Sequence, residues 1–393
     1  MKNSVQYRAF AKVLRSGCRG RWRMKRFSIG LLAVAALLTV ACGGDKLIVG
    51  VVLPETGPNN KYGASLKAGI KVAFDDAVAK QSPKGFEARY RDSFSTPEYA
   101  RKEAGDLFKS GARIVIGGAT SPEAKWMIPE AEKAKAVIIS PCASEPGLAA
   151  SSNLFFRVYP ADDIEGVAAA GFLVTQRKAR TILVLYQAGM YAEGMLPVFT
   201  GEVTKLGAKI TGKLEIGPTD WDKPIGDALA AQKPDAVFIC AYAEETLAAL
   251  LVVRNAKFPG SVCVTSAFAL GDVIRSGGTS AEGVFVALPD VDLDSQREPI
   301  NSFVQRFKAA NKGVAPDYFA AYGYDAAMTA LYALEGTPPK DTTELLQHLM
   351  SLGSKQGVTG PLSFDEVGNT THRPRMHVIK GGKFEDCDTS PPA

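Results

Sequence analysis

Histidine is scarce, with three in 393 residues at His348, His372 and His377, none at the spacing of a metal-ligand pair. The chain also lacks a G-x-S-x-G elbow, a Walker phosphate loop, a G-x-G-x-x-G dinucleotide turn and an H-E-x-x-H helix. The loops that follow its apolar strands carry hydroxyls, glycines and prolines where catalysis needs paired acids or a nucleophile with its base. An enzyme is therefore the weaker class, and no cofactor or metal is expected. Cysteine is sparse as well. Beyond residue 41 only Cys42, Cys142, Cys240, Cys263 and Cys387 occur, too irregularly spaced for a disulfide scaffold or a zinc site. Cys240 and Cys263 each close an apolar strand and read either as neighbours able to pair or as buried free thiols.

Acidic residues are absent from the first 41 positions, which hold nine Lys/Arg and an apolar run from Phe27 to Ala41 that stops at Cys42-Gly43-Gly44. A basic head, a short apolar stretch and small residues make an export signal. The run is too short to span a bilayer comfortably. Leu38-Thr39-Val40-Ala41-Cys42 resembles a bacterial lipoprotein signal, with Thr39 where that motif usually has Leu. The resemblance implies cleavage before Cys42, a lipid on its thiol, and a periplasmic protein anchored to the membrane. Ordinary cleavage without a lipid is the alternative. Met24-Lys25-Arg26 makes a signal start by itself, so residues 1–23 read as lying upstream of it.

The net charge of +5 belongs to this leader. Without it 37 basic residues face 41 acidic ones, so a polyanion partner such as nucleic acid is not expected. The remaining length suits about two domains.

From Lys46 onward, short β-rich apolar runs alternate with longer helical stretches, as in parallel sheets built from βαβ units. Strands are expected at Leu47–Leu53, Glu87–Asp92, Ile114–Gly117, Val137–Ser140, Thr181–Leu185, Ile210–Glu215, Ala236–Cys240, Val262–Thr265 and Gly283–Ala287. Leu66, Ile70, Phe74 and Ala77 form one helical stripe, and Ala100, Ala104, Leu107 and Phe108 another. Ile164, Val167, Ala168, Gly171 and Phe172 form a third. Three helices near Pro299–Asn311, Tyr318–Leu334 and Asp341–Ser351 follow, then short strands around Pro361–Phe364 and Met376–Ile379. The fold class is α/β, with two Rossmann-like lobes, each a mostly parallel sheet flanked by helices, and a cleft at the carboxyl ends of both sheets.

Two loops carry candidate chemistry. In Gly117-Gly118-Ala119-Thr120-Ser121-Pro122-Glu123, Ser121 reads as a helix N-cap with Pro122 at the first helical position, a start that offers backbone N–H groups and partial positive charge to an anion. Ser140-Pro141-Cys142-Ala143-Ser144 repeats the strand-to-turn arrangement with the Ser144 hydroxyl.

With these loops the chain resembles the branched-chain amino acid binding protein family of ABC transporters. The resemblance runs from Gly50-Val51-Val52-Leu53-Pro54-Glu55-Thr56-Gly57-Pro58 and Tyr62-Gly63 through Val115-Ile116-Gly117, Ser140-Pro141, Arg157 with Asp162, Tyr191-Ala192-Glu193-Gly194 and Tyr242 to Gly360-Pro361-Leu362-Ser363-Phe364-Asp365. It implies a substrate-binding receptor of an importer, working as a monomer with a small-molecule ligand and an ABC permease in the inner membrane. Ligand contacts fall on Ser121, Cys142 and Ser144, with Tyr62, Tyr191 and Tyr242 closing over them and Phe268 beside the tyrosines. Where leucine-binding members place a glutamate for the ligand's ammonium, this chain has Ala267. Glu193, Glu244 and Asp290 are the acids able to substitute. Failing them, the ligand is an aromatic or aliphatic carboxylate or an amide. Some members staple the first lobe with a disulfide, but Phe94 and Thr120 stand at those positions here. The family pattern divides the chain into a signal at 1–41, an N-terminal lobe at 46–161 plus 290–374, a C-terminal lobe at 162–289 plus 375–386, and a tail at 387–393. The connections form a three-segment hinge near Pro160–Asp163, Leu288–Val291 and Arg373–Met376. A ligand sensor or envelope-assembly lipoprotein on the same fold is the alternative function.

Overall fold

The computed structural model describes residues 47–387 apart from 84, 218 and 290. The leader, Cys42, Asp290 and residues 388–393 lie outside the described residues. The first half of the chain runs β1 (Leu47–Leu53), α1 (Asn60–Lys80), β2 (Phe86–Asp92), α2 (Pro97–Lys109), β3 (Ile114–Gly117), α3 (Ser121–Ala134), β4 (Val137–Ser140), α4 (Gly147–Ala150) and β5 (Phe155–Arg157). Its five strands pair in the order β2-β1-β3-β4-β5, all parallel. Parallel strands are covered on both faces and need unbroken apolar runs. Ile114, Val115 and Ile116 supply one, at most 1% exposed.

The second sheet follows α5 (Asp162–Gly171), with β6 (Thr181–Tyr186), α6 (Met190–Lys205), β7 (Lys209–Glu215), α7 (Asp222–Gln232), β8 (Ala236–Cys240), α8 (Ala243–Asn255), β9 (Ser261–Val264), α9 (Gly271–Gly277) and β10 (Phe285–Pro289). After α10 (Ile300–Ala310), α11 (Tyr318–Ala333) and α12 (Thr342–Met350) it is completed by β11 (Pro374–Lys380) and β12 (Lys383–Asp386). The order is β12-β11-β10-β9-β8-β6-β7, antiparallel only at β10–β11 and β11–β12.

Of the helices α10–α12, α11 packs against α1, β3 and β4 on the first sheet's side, α10 packs on α1, and α12 on α11. The chain thus passes from first sheet to second after β5, back after β10, and across again before β11.

All nine expected strands of the alternating region are present, with ends moved by up to two residues. Pro361–Phe364 is not a strand. It makes only isolated pairings, Gln356 with Pro361 and Phe364 with Thr370. Cys240 and Cys263 are buried free thiols on neighbouring strands.

The stripe expected on α5 is turned. Val167 is 45% exposed, while Asp162, Glu165, Gly166, Ala169 and Ala170 face inward. The cause is close packing on α6, since a Cβ on Gly166 would meet Met195 Sδ and Val198 Cγ1 at 3.1 Å. Small residues, not large ones, define this face.

The α1–α11 crossing is equally close. A Cβ on Gly69 would lie 1.8 Å from the Ala320 carbonyl oxygen, and one on Gly323 2.3 Å from that of Leu66. Gly69→Ala is expected to cost about 2 kcal/mol, because backbone and not a pliable side chain stands in the way. Chemical denaturation measures it, and an unchanged midpoint would contradict the tight crossing.

Candidate ligand-binding cleft

The carboxyl ends of both sheets face one another across a narrow cleft. From the first sheet come Tyr62 on α1, Ala119, Thr120 and Ser121 after β3, Cys142 and Ser144 after β4, and Tyr159 after β5, joined by Phe319 of α11. The second sheet contributes Tyr191 at the start of α6, Tyr242 before α8, and Ser266 and Ala267 after β9.

The two serine-bearing loops are tied together. Ser140 Oγ donates to the Gly118 carbonyl at 2.8 Å and accepts the Ala143 N–H at 2.9 Å, and the Cys142 thiol donates to the Ala119 carbonyl at 3.1 Å. Ser121 is not the N-cap of α3. Thr120 holds that place in extended conformation, and Glu123 Oε2 accepts both its N–H and its hydroxyl at 3.0 Å. Glu123 reaches back because a carboxylate one turn in satisfies the otherwise orphaned N-cap donor. That leaves Ser121 Oγ to accept the Glu145 N–H at 3.2 Å, fixing one loop to the other.

Arg157 organises the second loop from behind. It is fully buried and donates to Asn369 Oδ1 and the Glu145 carbonyl at 2.7 Å, and to the carbonyls of Ala143 and Pro146 at 3.4 Å.

The lobes meet through Tyr62. Its hydroxyl donates to the Ala267 carbonyl at 2.7 Å and accepts the Ala243 N–H at 2.8 Å, both beyond the cleft. Its ring packs edge-on against Phe319 at 4.8 Å and Tyr242 at 6.0 Å, and Tyr242 stacks on Tyr191 at 5.6 Å. Asp317, the N-cap of α11, takes the Gly271 N–H at 3.2 Å from the far side, and Lys61 pairs with Glu244 across the mouth.

The lining is neutral. None of its twelve residues is Asp, Glu, Lys, Arg or His. Burial pushes the Cys142 thiol and the Tyr62, Tyr159, Tyr191 and Tyr242 phenols upward, so all stay protonated at ordinary pH. Acids stand one layer back. Burial raises the Glu123 carboxyl, and raises Glu165 to about 7 against the pull of its hydrogen bonds from Ser266.

Of the residues singled out from sequence, Tyr62, Ser121, Cys142, Ser144, Tyr191 and Tyr242 come together around the space, and Phe268 does not. Phe268 is fully buried. The single tight turn Ser266–Phe268 exposes its first two residues to the cleft and drives the third into the core of its lobe. Glu193 is exposed and Glu244 is occupied by Lys61, so neither lines the cleft. Sequence reasoning missed Tyr159 and Phe319. The signal available for them was an aromatic just before the crossover Pro160-Ala161-Asp162 and another opening the apolar helix α11.

The model of the periplasmic binding protein family matches residues 46–382. The chain belongs to that family. Members of the periplasmic binding protein family are periplasmic solute-binding proteins, not enzymes. A Pseudomonas aeruginosa relative, the leucine-, isoleucine-, valine-, threonine- and alanine-binding protein, is 23% identical over 357 residues, 89% of this chain and 94% of its own length. The fold is that of the branched-chain amino acid transporter substrate binding protein of Streptococcus pneumoniae, solved in complex with isoleucine. Its TM-score is 0.81 at 22% identity, over 88% of this chain and all of that one. It is also that of a Rhodopseudomonas palustris ABC transporter solute binding protein in complex with benzoate, with a TM-score of 0.78 at 20% identity, over 87% and 96% of the two chains.

Proposed function

We propose that this chain is the substrate-binding receptor of an ABC importer, and that it captures a small carboxylate with an apolar or aromatic body and hands it to an inner-membrane permease. The neutral lining carries this reading: five aromatic rings and four aliphatic hydroxyls face the space, and Ala267 offers only its carbonyl, already taken by Tyr62. A carboxylate is met by the Ser121 and Ser144 hydroxyls and the start of α3. An ammonium group would be buried without a carboxylate partner, at a cost of several kcal/mol. The benzoate complex of the R. palustris protein is in keeping with such a ligand. A leucine-type amino acid is the second reading, favoured by the name of the P. aeruginosa relative and the isoleucine complex of the S. pneumoniae protein. In this proposal the lobes close on the ligand about the three connections between them, and Cys42 bears the lipid that holds the receptor, a monomer, at the membrane.

Melting shifts with benzoate, 4-methylpentanoate (leucine without its amino group), leucine and isoleucine test it. The acids are expected to raise the melting temperature more than the amino acids. A larger shift with leucine selects the second reading, and no shift with any of them overturns the receptor function. Ser144→Ala is expected to weaken binding at least tenfold, about 1.4 kcal/mol. Unchanged affinity by calorimetry removes Ser144 from the site.

A further inference from the structure

Two carboxyl groups and one guanidinium stand directly behind the cleft wall. Asp162 and Glu165 lie one turn apart on the inward face of α5, 0% and 4% exposed. Glu165 accepts the Ser266 N–H at 2.7 Å and the Ser266 hydroxyl. Asp162 gives its N–H to the Ser144 carbonyl at 2.9 Å. Burial raises its carboxyl well above the usual carboxylate range, and the Ser144 hydroxyl pulls it back down without reaching full hydrogen-bonding geometry to either oxygen. Both acids thus back onto serines that line the space.

Charge compensation is incomplete. Among the described residues Arg157 is the cation that acts on Asp162, and its N–H groups are committed to Asn369 and to the carbonyls of the second loop. Glu145 is a further acid whose charge raises Asp162, while Tyr159, Tyr191, Tyr242, Cys240 and Cys263, which also feel the pair, are neutral and raised by burial. On α6, Glu193 is exposed and Glu202 pairs with Lys205. On β11, Arg375 pairs with Asp386, and His377 Nδ1 sits 3.0 Å from the Arg375 carbonyl. With both acids ionised, Arg157 offsets only one of their two negative charges, Glu145 adds to the excess, and a bound carboxylate adds another in the same low-dielectric region.

We propose that capture of an anionic ligand is coupled to uptake of one solvent proton by the Asp162–Glu165 pair, so that affinity for carboxylates without an amino group falls as pH rises through neutrality. This rests on the cleft being a small-carboxylate site. The sign follows from linkage. If the complex binds one more proton than free protein and ligand, association weakens with rising pH wherever the free protein has lost that proton. Glu165, held to about 7, sets the window. A ligand whose ammonium approached the pair would keep both acids ionised and would not show this dependence.

Titration calorimetry with 4-methylpentanoate at pH 6 and pH 8 tests it, in buffers of different ionisation enthalpy. Affinity is expected to fall about tenfold between the two, with buffer-dependent heat reporting proton uptake. Glu165→Gln, which imitates the protonated carboxyl, is expected to flatten the profile. If that variant fails to fold, the buffer heats of the unaltered protein decide alone. Equal affinity at both pH values without buffer-dependent heat, or a Gln variant that keeps the slope, overturns the coupling while leaving the receptor function standing. Binding of leucine but not 4-methylpentanoate overturns the anionic ligand. Binding of none of 4-methylpentanoate, benzoate, leucine and isoleucine overturns the receptor reading and the coupling with it.

Discussion

Arg157→Met is expected to lower stability by about 3–5 kcal/mol and to abolish measurable ligand binding. Methionine keeps much of the apolar stem of the buried arginine. It deletes the donors to Asn369 and to the Ala143, Glu145 and Pro146 carbonyls, and removes the positive charge beside Asp162. Removing one partner of a buried charged network costs more than the network contributes net, because its remaining groups stay desolvated and unpaired. The loop that loses its anchor carries Ser144, so stability and binding fail together. Thermal unfolding should show a fall of roughly 4–7 °C. Asn369→Ala removes one bond of the same network and should cost about 1 kcal/mol. A melting temperature for Arg157→Met within 3 °C of the parent would show that the guanidinium does not organise this loop.

Tyr62→Phe is expected to weaken ligand binding roughly thirtyfold, about 2 kcal/mol, with little change in the unfolding of the ligand-free protein. Phenylalanine preserves the edge contacts with Phe319 and Tyr242 and deletes only the hydroxyl. The Ala243 N–H and the Ala267 carbonyl, both on the second sheet's side, then meet the first lobe unpaired. Each such group costs about 1–3 kcal/mol when buried, and the open arrangement escapes that cost by returning them to water. Calorimetry reads the affinity, and small-angle scattering reads the fraction of protein with lobes apart. Unaltered affinity would show that the hydroxyl bridge does not contribute to closure.

The parallel strands were legible because burial on both faces demands unbroken apolar runs, and Ile114-Val115-Ile116 or Val137-Ile138-Ile139 admit little else. β5 was not, since three residues show no period, and β12 is too polar to stand out. The third helical stripe failed for a different reason. Ile164 and Val167 suggested a face by size, whereas α5 turns Gly166, Ala169 and Ala170 to α6 and leaves Asp162 and Glu165 inside. Six of the seven ligand contacts expected from sequence meet at one space because strand-end loops project to the same side of a parallel sheet. Phe268 departs from them through one tight turn that periodicity cannot register. Phe319 arrives from a helix far along the chain, by a topology no local pattern encodes.

The hydroxyl of Tyr62, the Asp317 carboxylate with Gly271, and the Lys61–Glu244 pair join the lobes through protein groups alone. Contacts of that kind are indifferent to the cargo. In the proposed receptor they would strengthen the hold on every ligand that permits closure by a common factor, while discrimination between ligands would be left to the twelve residues of the lining. The two properties can therefore be tuned apart: altered joining contacts rescale the whole affinity series without reordering it, and a relined pocket changes the order. A biosensor for another small acid built on this scaffold would keep the first set intact and redesign the second.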